Sequence, residues 1–243
     1  MTSRVRVAPR GVFVALARAL PLLFSARMVA VIFLPLLGAA LLWSLIGWLA
    51  WEPLARTLAT IMFSTADGWG YAGAGVIAAL LLMLAAALTA LVAIAVVAMP
   101  VIVEGVAVRD FATLEHRRGG TFAGSITNAL VGIAIFLPLS LLSLVLLAFP
   151  PVYIVATLVL NAWLNQRLFR YDALALHAGP HELPKLVRAA RGRFFLLALV
   201  LAPLSLIPFA NLIAPLYAGI AFAYLGLDEL VVMRSLEDGP GPA

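Results

Sequence analysis

Long apolar segments alternate with short polar segments along the chain. Two uninterrupted apolar runs, 29–51 and 73–103, are each long enough to cross a bilayer core of about 30 Å as a helix. Between residues 11 and 24, apolar residues recur every three or four positions, which predicts an amphipathic helix at the membrane interface. The pattern predicts an all-α integral membrane protein, with a cytoplasmic amphipathic start at 1–28 followed by two long transmembrane helices.

Two later apolar regions, 126–164 and 194–227, are each divided into shorter stretches at a proline. As helices, the stretches 152–164 and 194–209 would span only about 20 and 24 Å, less than the hydrocarbon core. Each region is therefore predicted to form a short, re-entrant helical hairpin that penetrates the membrane only in part, its tip buried against protein. Four thin crossings are the alternative. All these segments belong to one predicted membrane domain, 1–243.

Positive charge is concentrated in the polar segments. Of the 16 Lys and Arg residues, six fall in the basic block 165–193, five in 1–28, three in 104–125 and one in the tail 228–243. The segment 52–72 contains only one. Two crossings and two returning hairpins place every polar segment except 52–72 on one side of the membrane. The positive-inside rule makes that side cytoplasmic, with both termini there. The Gly/Pro-rich tail is expected to fray.

Several kinds of chemistry lack the residues that they require. The chain has no cysteine, which excludes disulfides and cysteine metal sites. His177 and His181 are separated by Gly179 and Pro180, which would interrupt the helix that a metal-binding pair needs, so no metal site and no cofactor are expected. Neither a nucleophile–base pair nor a phosphate-binding glycine loop stands out. We therefore expect neither an enzyme nor a nucleic-acid partner.

A first candidate anion site precedes the first predicted crossing. The backbone amides of Ser25, Ala26, Arg27 and Met28 open that helix, and helix N-terminal N–H groups together with a guanidinium can hold an oxyanion. The alternative is that Arg27 reaches the lipid headgroups and only sets the topology.

A second group of basic candidates precedes the last apolar region. Arg188 and Arg191 share a helical face at i,i+3 spacing, and Arg193 follows them. They form either a vestibule for anions or a contact with lipid headgroups. Arg167 and Arg170 form a similar pair, for which Asp172 offers a neutralising carboxylate.

Glu104 directly follows the second predicted crossing. A buried carboxylate at this place would be costly and hence a functional candidate, whereas at the interface it would simply be solvated. The sequence leaves both alternatives open.

Two co-linear sets of residues indicate a family. The first set is Ala8-Pro9-Arg10-Gly11, then Ser25-Ala26-Arg27, then Phe33-Leu34-Pro35-Leu36-Leu37. The second set is Ala162-Trp163, Tyr171-Asp172, His177, an arginine-bearing segment to Arg191, and Ile207-Pro208-Phe209-Ala210-Asn211-Leu212 with Pro215. In this order and spacing the chain resembles the CysZ sulfate-permease family, which shares its domain with etoposide-induced proteins. The likeness covers most of residues 8–227.

The resemblance implies two crossing helices, two partly penetrating hairpins, a homo-oligomer (a dimer or higher), sulfate as substrate and an anion site at the turn before the first crossing. Of that turn only Arg27 carries over. Ser25 and Ala26 stand where the family has Gly and Leu or Ile, and Met28 stands where a second Arg is common.

The resulting expectation is a permease or channel of a bacterial inner membrane for an oxyanion, in the first place sulfate taken up for assimilation into cysteine. The alternative is a non-transport scaffold, assembly factor or lipid-binding factor of the same fold, whose partners are membrane lipids.

Overall fold

The computed structural model describes residues 11–63, 68–207 and 210–237. All regular elements among these residues are helical, and four helices are long and apolar enough to cross a membrane. The all-α membrane fold is thus confirmed. The features at Ala8–Arg10, at the Pro208–Phe209 turn and beyond Glu237 lie outside the described residues. The helices are α1 Val12–Leu23, α2 Ala26–Phe63, α3 Gly68–Asp110, α4 Phe122–Ser143, α5 Pro150–Ala175, α6 Glu182–Ala189, α7 Arg191–Leu201 and α8 Ala210–Glu237.

The chain divides into two compact units, of which one is Ala26–Ala98. In this unit α2 and the greater part of α3 lie side by side. Trp43 Nε1 donates a hydrogen bond to Thr89 Oγ1 at 2.9 Å, and Gly75 lies against the ring of Trp51. Because later residues of α2 meet earlier residues of α3, the two helices are antiparallel.

The polar loop expected at 52–72 is largely helical. Helix α2 continues to Phe63 and α3 begins at Gly68. Within this segment Glu52 receives a hydrogen bond from Tyr71 at 2.8 Å and pairs with Arg56 one turn later at 2.6 Å. These side-chain bonds satisfy the polar residues without ending the helices.

The other unit comprises Met1–Ser25 and Met99–Ala243, and α8 is its central helix. Residues 218–230 of α8 are all buried, because α1, α5 and α7 pack around them. The Phe222 ring stacks on Phe169 and Phe194, at centroid distances of 5.3 and 5.9 Å. Apart from Asp228 and Glu229 this stretch is mostly apolar on every side, and such a helix is expected to be enclosed in this way.

Helix α1 has the predicted amphipathic character. Its buried residues, among them Val12, Ala15 and Ala19, recur at three- and four-residue spacing, and it packs on α8. Tyr217 of α8 donates a hydrogen bond to the Leu16 carbonyl at 3.0 Å. The apolar face of α1 is thus covered by protein in addition to any contact with lipid.

The two pairs predicted as hairpins are α4 with α5 and α7 with α8. A 3-10 turn, Leu144–Ala148, extends α4, and the combined helical segment is long and apolar enough to cross a membrane. Re-entry of either pair remains a prediction. Helix α8 continues through Glu237, where a frayed tail was expected, because Asp228 and Glu229 form ion pairs with other helices.

Candidate functional site

The turn between α1 and α2 contains the first predicted anion site. The N–H group of Ser25 donates to the Leu22 carbonyl at 3.0 Å, and α2 begins at Ala26. Arg27 is exposed in the first turn of α2, whereas Met28 is fully buried. Arg27 is therefore the charged side chain that this turn presents at the surface.

The second group of predicted residues is separated by the structure. Arg193 forms an ion pair with Glu229 of α8, so its charge is neutralised within the protein. Arg188 is exposed on α6. Arg191, the first residue of α7, lines an open cavity of about 400 Å³ against α5. The lining residues are Trp163, Gln166, Arg191, Gly192 and Phe195.

Arg170 of α5 lies close enough to Arg167 and Arg191 for their charges to act on it. Burial and the positive charges of Arg191 and Arg167 lower the pKa of the Arg170 guanidinium. Its Nη1 is buried without a hydrogen-bond partner among the described residues. We call Arg167, Arg170 and Arg191 the arginine cluster. Among the described residues, no carboxylate lies within 4.0 Å of any of these three guanidinium groups.

The arginine cluster retains its net positive charge. Asp172 does not form the predicted ion pair with Arg170; burial raises the pKa of the Asp172 carboxyl, and a hydrogen bond with Ser125 acts in the opposite direction. Arg167 donates from Nε to the Asn128 carbonyl at 3.3 Å, a neutral partner. Beside the cluster, the buried Gln166 has an Oε1 without a hydrogen-bond partner among the described residues.

Arg18, unlike the arginines of the cluster, is paired with carboxylates. Its guanidinium bonds both carboxylate oxygens of Asp228 at 3.2 Å and lies 3.6 Å from Asp110. It also lies 4.4 Å from the centre of the Tyr224 ring. A cavity of about 530 Å³ adjoins Arg18, but two carboxylates already satisfy the charge. This arginine joins α1 to α8 and is not suited to bind an anion.

Glu182 is the centre of a buried ionic network. It accepts hydrogen bonds from Arg117 at 2.7 Å, from Arg234 at 2.9 and 3.0 Å, and from the Gly179 N–H at 2.6 Å. The hydrogen bonds from Arg234 and Gly179, with the charges of both arginines, lower the pKa of the Glu182 carboxyl to about 2. The arginines of this network are therefore committed to structure.

His177 and His181, which are close in sequence, lie in different environments. His181 is exposed at the start of α6, whereas His177 is fully buried just beyond α5. The ring of His177 faces that of His116, with 4.2 Å between centroids. Burial, with help from the nearby His116, lowers the pKa of His177 to about 4, so the imidazole is neutral at pH 7.

Sequence reasoning identified Arg191 but not its environment. Arg167 and Arg170 were recognised only as a pair, and Gln166 was not recognised at all. The i,i+4 spacing of Gln166 and Arg170 on one helix was the available signal. Nothing local in the sequence indicates that the first turn of α7 lies beside them.

An all-helical integral membrane protein with an arginine cluster free of carboxylate partners is the class that fold and site define. A family model described as "Sulfate transporter CysZ/Etoposide-induced protein 2.4" matches residues 15–215. The chain belongs to this family, which confirms the resemblance found in the sequence. Nothing among curated proteins and nothing among solved structures matches the chain.

Proposed function

We propose that the protein is a permease or channel for an oxyanion, with sulfate as the first substrate to test. The observation that carries the proposal is the arginine cluster, Arg167, Arg170 and Arg191, with no carboxylate within 4.0 Å among the described residues. Sulfate carries two negative charges and no exchangeable proton at neutral pH, so its recognition requires directed donors and positive charge. The family description agrees with this substrate class.

The energetics of the cluster favour a dianion. Three neighbouring guanidinium groups repel one another, and burial of Arg170 weakens the screening of that repulsion. A sulfate ion in the adjoining cavity would neutralise two of the charges. Arg191 lines that cavity and would supply N–H donors to the ion, and the neighbouring Arg170 has a buried Nη1 without a hydrogen-bond partner among the described residues.

Arg27 and the N-terminus of α2 form a separate entry site in this proposal. The N-terminus of a helix carries a partial positive charge, and the exposed Arg27 guanidinium adds a full charge there. Movement of the anion is passive or coupled to an ion gradient, and the protein itself performs no chemical conversion. We place it as a homo-oligomer in a bacterial inner membrane with both termini cytoplasmic, taking up sulfate for cysteine synthesis.

Uptake of radiolabelled sulfate into proteoliposomes tests the proposal. We expect saturable uptake that other tetrahedral oxyanions compete with, and at least a tenfold loss in Arg191→Gln and in Arg27→Ala. Lys185→Ala is the matched control, because it removes one positive charge from the same basic block at an exposed side chain. Its uptake should equal that of the wild type. Absence of uptake by monodisperse, correctly inserted protein would reject the transport proposal.

The second candidate is a scaffold or lipid-binding factor. It is favoured by Arg27 and Arg188, which are exposed and have no carboxylate within 4.0 Å in the described ranges. Such cations attract anionic headgroups. Native mass spectrometry would then detect bound anionic lipid in the wild type and less of it in Arg188→Ala, without sulfate uptake in either protein.

A further inference from the structure

Three side chains with metal-binding atoms converge near the end of α5. Glu104 lies in the last turns of α3, His116 follows in the irregular segment after α3, and His177 lies just beyond α5. His116 Nε2 is 3.0 Å from Glu104 Oε2. One nitrogen or oxygen atom from each of the three lies within 4.8 Å of the others.

His177 supplies an independent indication of a ligand. The residue is fully buried, and neither of its ring nitrogens has a hydrogen-bond partner among the described residues. Buried polar groups are nearly always bonded, and a neutral imidazole has one nitrogen lone pair that accepts either a proton donor or a metal ion. One ring nitrogen of His177 lies within 4.8 Å of ligand atoms of Glu104 and His116, so an ion bound among the three would satisfy that nitrogen.

The surrounding charges allow a cation at this place. Arg234 approaches closest, donating to the backbone carbonyl of His177 at 2.8 Å, but it is paired with Glu182 at 2.9 Å. Arg117, next to His116 in the chain, is paired with Glu182 and with Glu115. These arginines and carboxylates neutralise one another, and the Glu104 carboxylate, 3.0 Å from His116 Nε2, adds a negative charge at the place of the ion.

We infer that Glu104, His116 and His177 bind a divalent transition-metal ion of the zinc type. Two imidazole nitrogens and one carboxylate oxygen suit such ions, whereas calcium and magnesium prefer oxygen ligands alone. Metal–ligand bonds of about 2.0–2.2 Å place neighbouring ligand atoms about 3–3.5 Å apart. The 3.0 Å distance between Glu104 and His116 already has this length, and the other separations are at most 4.8 Å, so each closes by no more than about 1.3–1.8 Å when an ion binds.

His116 is the ligand that can make this adjustment. It is partly exposed in a segment without regular structure, whereas His177 is held in the protein interior. Glu104 is also partly exposed, so the three ligands leave at least one coordination position open toward solvent. The ion would join the end of α3, the segment that follows it and the end of α5.

No metal site was expected at His177, because the residue close to it in sequence, His181, is separated from it by Gly179 and Pro180. The inferred partners are instead His116 and Glu104, which are separated from His177 in the chain by the whole of α4 and α5. Glu104 was left open between a functional and a solvated role, and the inferred metal site would give it the functional one.

Direct metal binding to the full-length protein tests the inference. The protein is purified through a tag without histidine and freed of metal with a chelator. Zn²⁺ binding is then measured by titration calorimetry, and Co²⁺ binding by visible absorption, which reports the ligand geometry. We expect one Zn²⁺ per chain, and affinity at least about tenfold weaker in Glu104→Gln, His116→Ala and His177→Ala. His181→Ala, at an exposed histidine in the same region, should bind as the wild type does.

Two of these variants keep the test decisive if His177→Ala does not fold, since Glu104 and His116 are partly exposed. The inference is overturned if the metal-free wild type takes up no stoichiometric Zn²⁺, or if Glu104→Gln and His116→Ala bind it as tightly as the wild type. A rise in the melting temperature with Zn²⁺ in the wild type that His116→Ala lacks would support it.

Discussion

Glu182 accepts hydrogen bonds from two arginines and one backbone amide while remaining almost entirely buried. The two arginines, Arg117 and Arg234, come from the segment after α3 and from α8, so one carboxylate joins three separate parts of the chain. A buried ion pair is strongly disturbed when one partner is removed, because the remaining charge stays desolvated. Glu182 therefore has more influence on stability than an exposed glutamate of the same charge.

The pKa of Glu182 leads to a pH-dependent prediction. Because its folded-state pKa of about 2 lies below the ordinary value of 4.5, the stabilisation is complete above pH 4.5 and is lost as the pH falls toward 2. Glu182→Gln should lower the free energy of unfolding by roughly 3 kcal/mol at pH 7. The difference from the wild type should shrink between pH 5 and pH 3. Thermal unfolding in detergent at several pH values measures it.

Glu115→Gln provides the control for that prediction. Glu115 pairs with the same arginine, Arg117, at 3.3 Å, but its side chain is 75% exposed. Exposed ion pairs contribute little to stability. Its removal should leave the unfolding curve unchanged at every pH, and an effect equal to that of Glu182→Gln would contradict the role given to burial.

At the scale of the elements, the segment 118–120 caps the end of α5. The backbone N–H groups of Arg118, Gly119 and Gly120 donate to carbonyls of Leu176, Ala178 and Ala175, at 3.1, 2.7 and 3.0 Å. The last carbonyls of a helix have no partner within the helix, and these bonds satisfy three near the end of α5. The close approach requires residues without side chains at 119 and 120.

Gly120→Ala should break this capping contact. A Cβ at Gly120 would lie 2.6 Å from the Cα of Ala175, a backbone atom that cannot move aside alone. We expect a loss of roughly 1–3 kcal/mol in the free energy of unfolding, since overpacking against backbone forces a local shift. Gly38→Ala is the matched control, because a Cβ at that helical position meets nothing within 4 Å. It should leave stability unchanged or slightly raised, as judged by melting temperature.

Helix α1 also depends on a contact that is visible only between elements. The helix within 11–24 was predicted to lie at the membrane interface, whereas its Arg18 binds Asp228 and Asp110 within the protein. The amphipathic period of α1 was therefore correctly predicted, while the partner of its charged face was not. Sequence spacing specifies which residues share a face, but it contains no information about which distant helix meets that face.

At the scale of the whole molecule, the distribution of basic residues makes a prediction about sidedness. The absence of cysteine means that single-cysteine variants can be labelled without background. Lys185→Cys should react with an impermeant maleimide from the cytoplasmic side only, and Thr57→Cys from the opposite side only. Labelling of right-side-out and inverted vesicles measures both. The reverse pattern would invert the proposed topology.

The same assay distinguishes re-entrant hairpins from full crossings. Ala148 lies at the end of the 3-10 turn between α4 and α5, and its side chain is exposed on the protein surface. In a re-entrant hairpin this tip remains in the hydrocarbon, so Ala148→Cys should react from neither side. Reaction from the same side as Thr57→Cys would show that α4 and α5 cross the bilayer.

Membrane residence, helical class, the amphipathic α1 and the family relationship are all accessible from hydropathy and residue order. These properties depend on composition and spacing within short windows, where the bilayer acts as a uniform solvent. The helix bounds were less accessible: α2 and α3 continue through the polar residues near Glu52 because bonds with Tyr71 and Arg56 satisfy its carboxylate.

The candidate sites could be identified only from the packed structure. Arg191 belongs to a positively charged cluster because the fold brings it near Arg167 and Arg170. His177 lies beside His116 for the same reason, although the two are far apart in the chain. Arg193 and Arg191 are two residues apart, yet one is neutralised by Glu229 and the other lines a cavity. Charge is a property of the residue, but whether that charge is paired depends on which side chains the fold brings within a few ångströms. That pairing is decided by the packing of α5, α7 and α8 and by the path of the segment after α3.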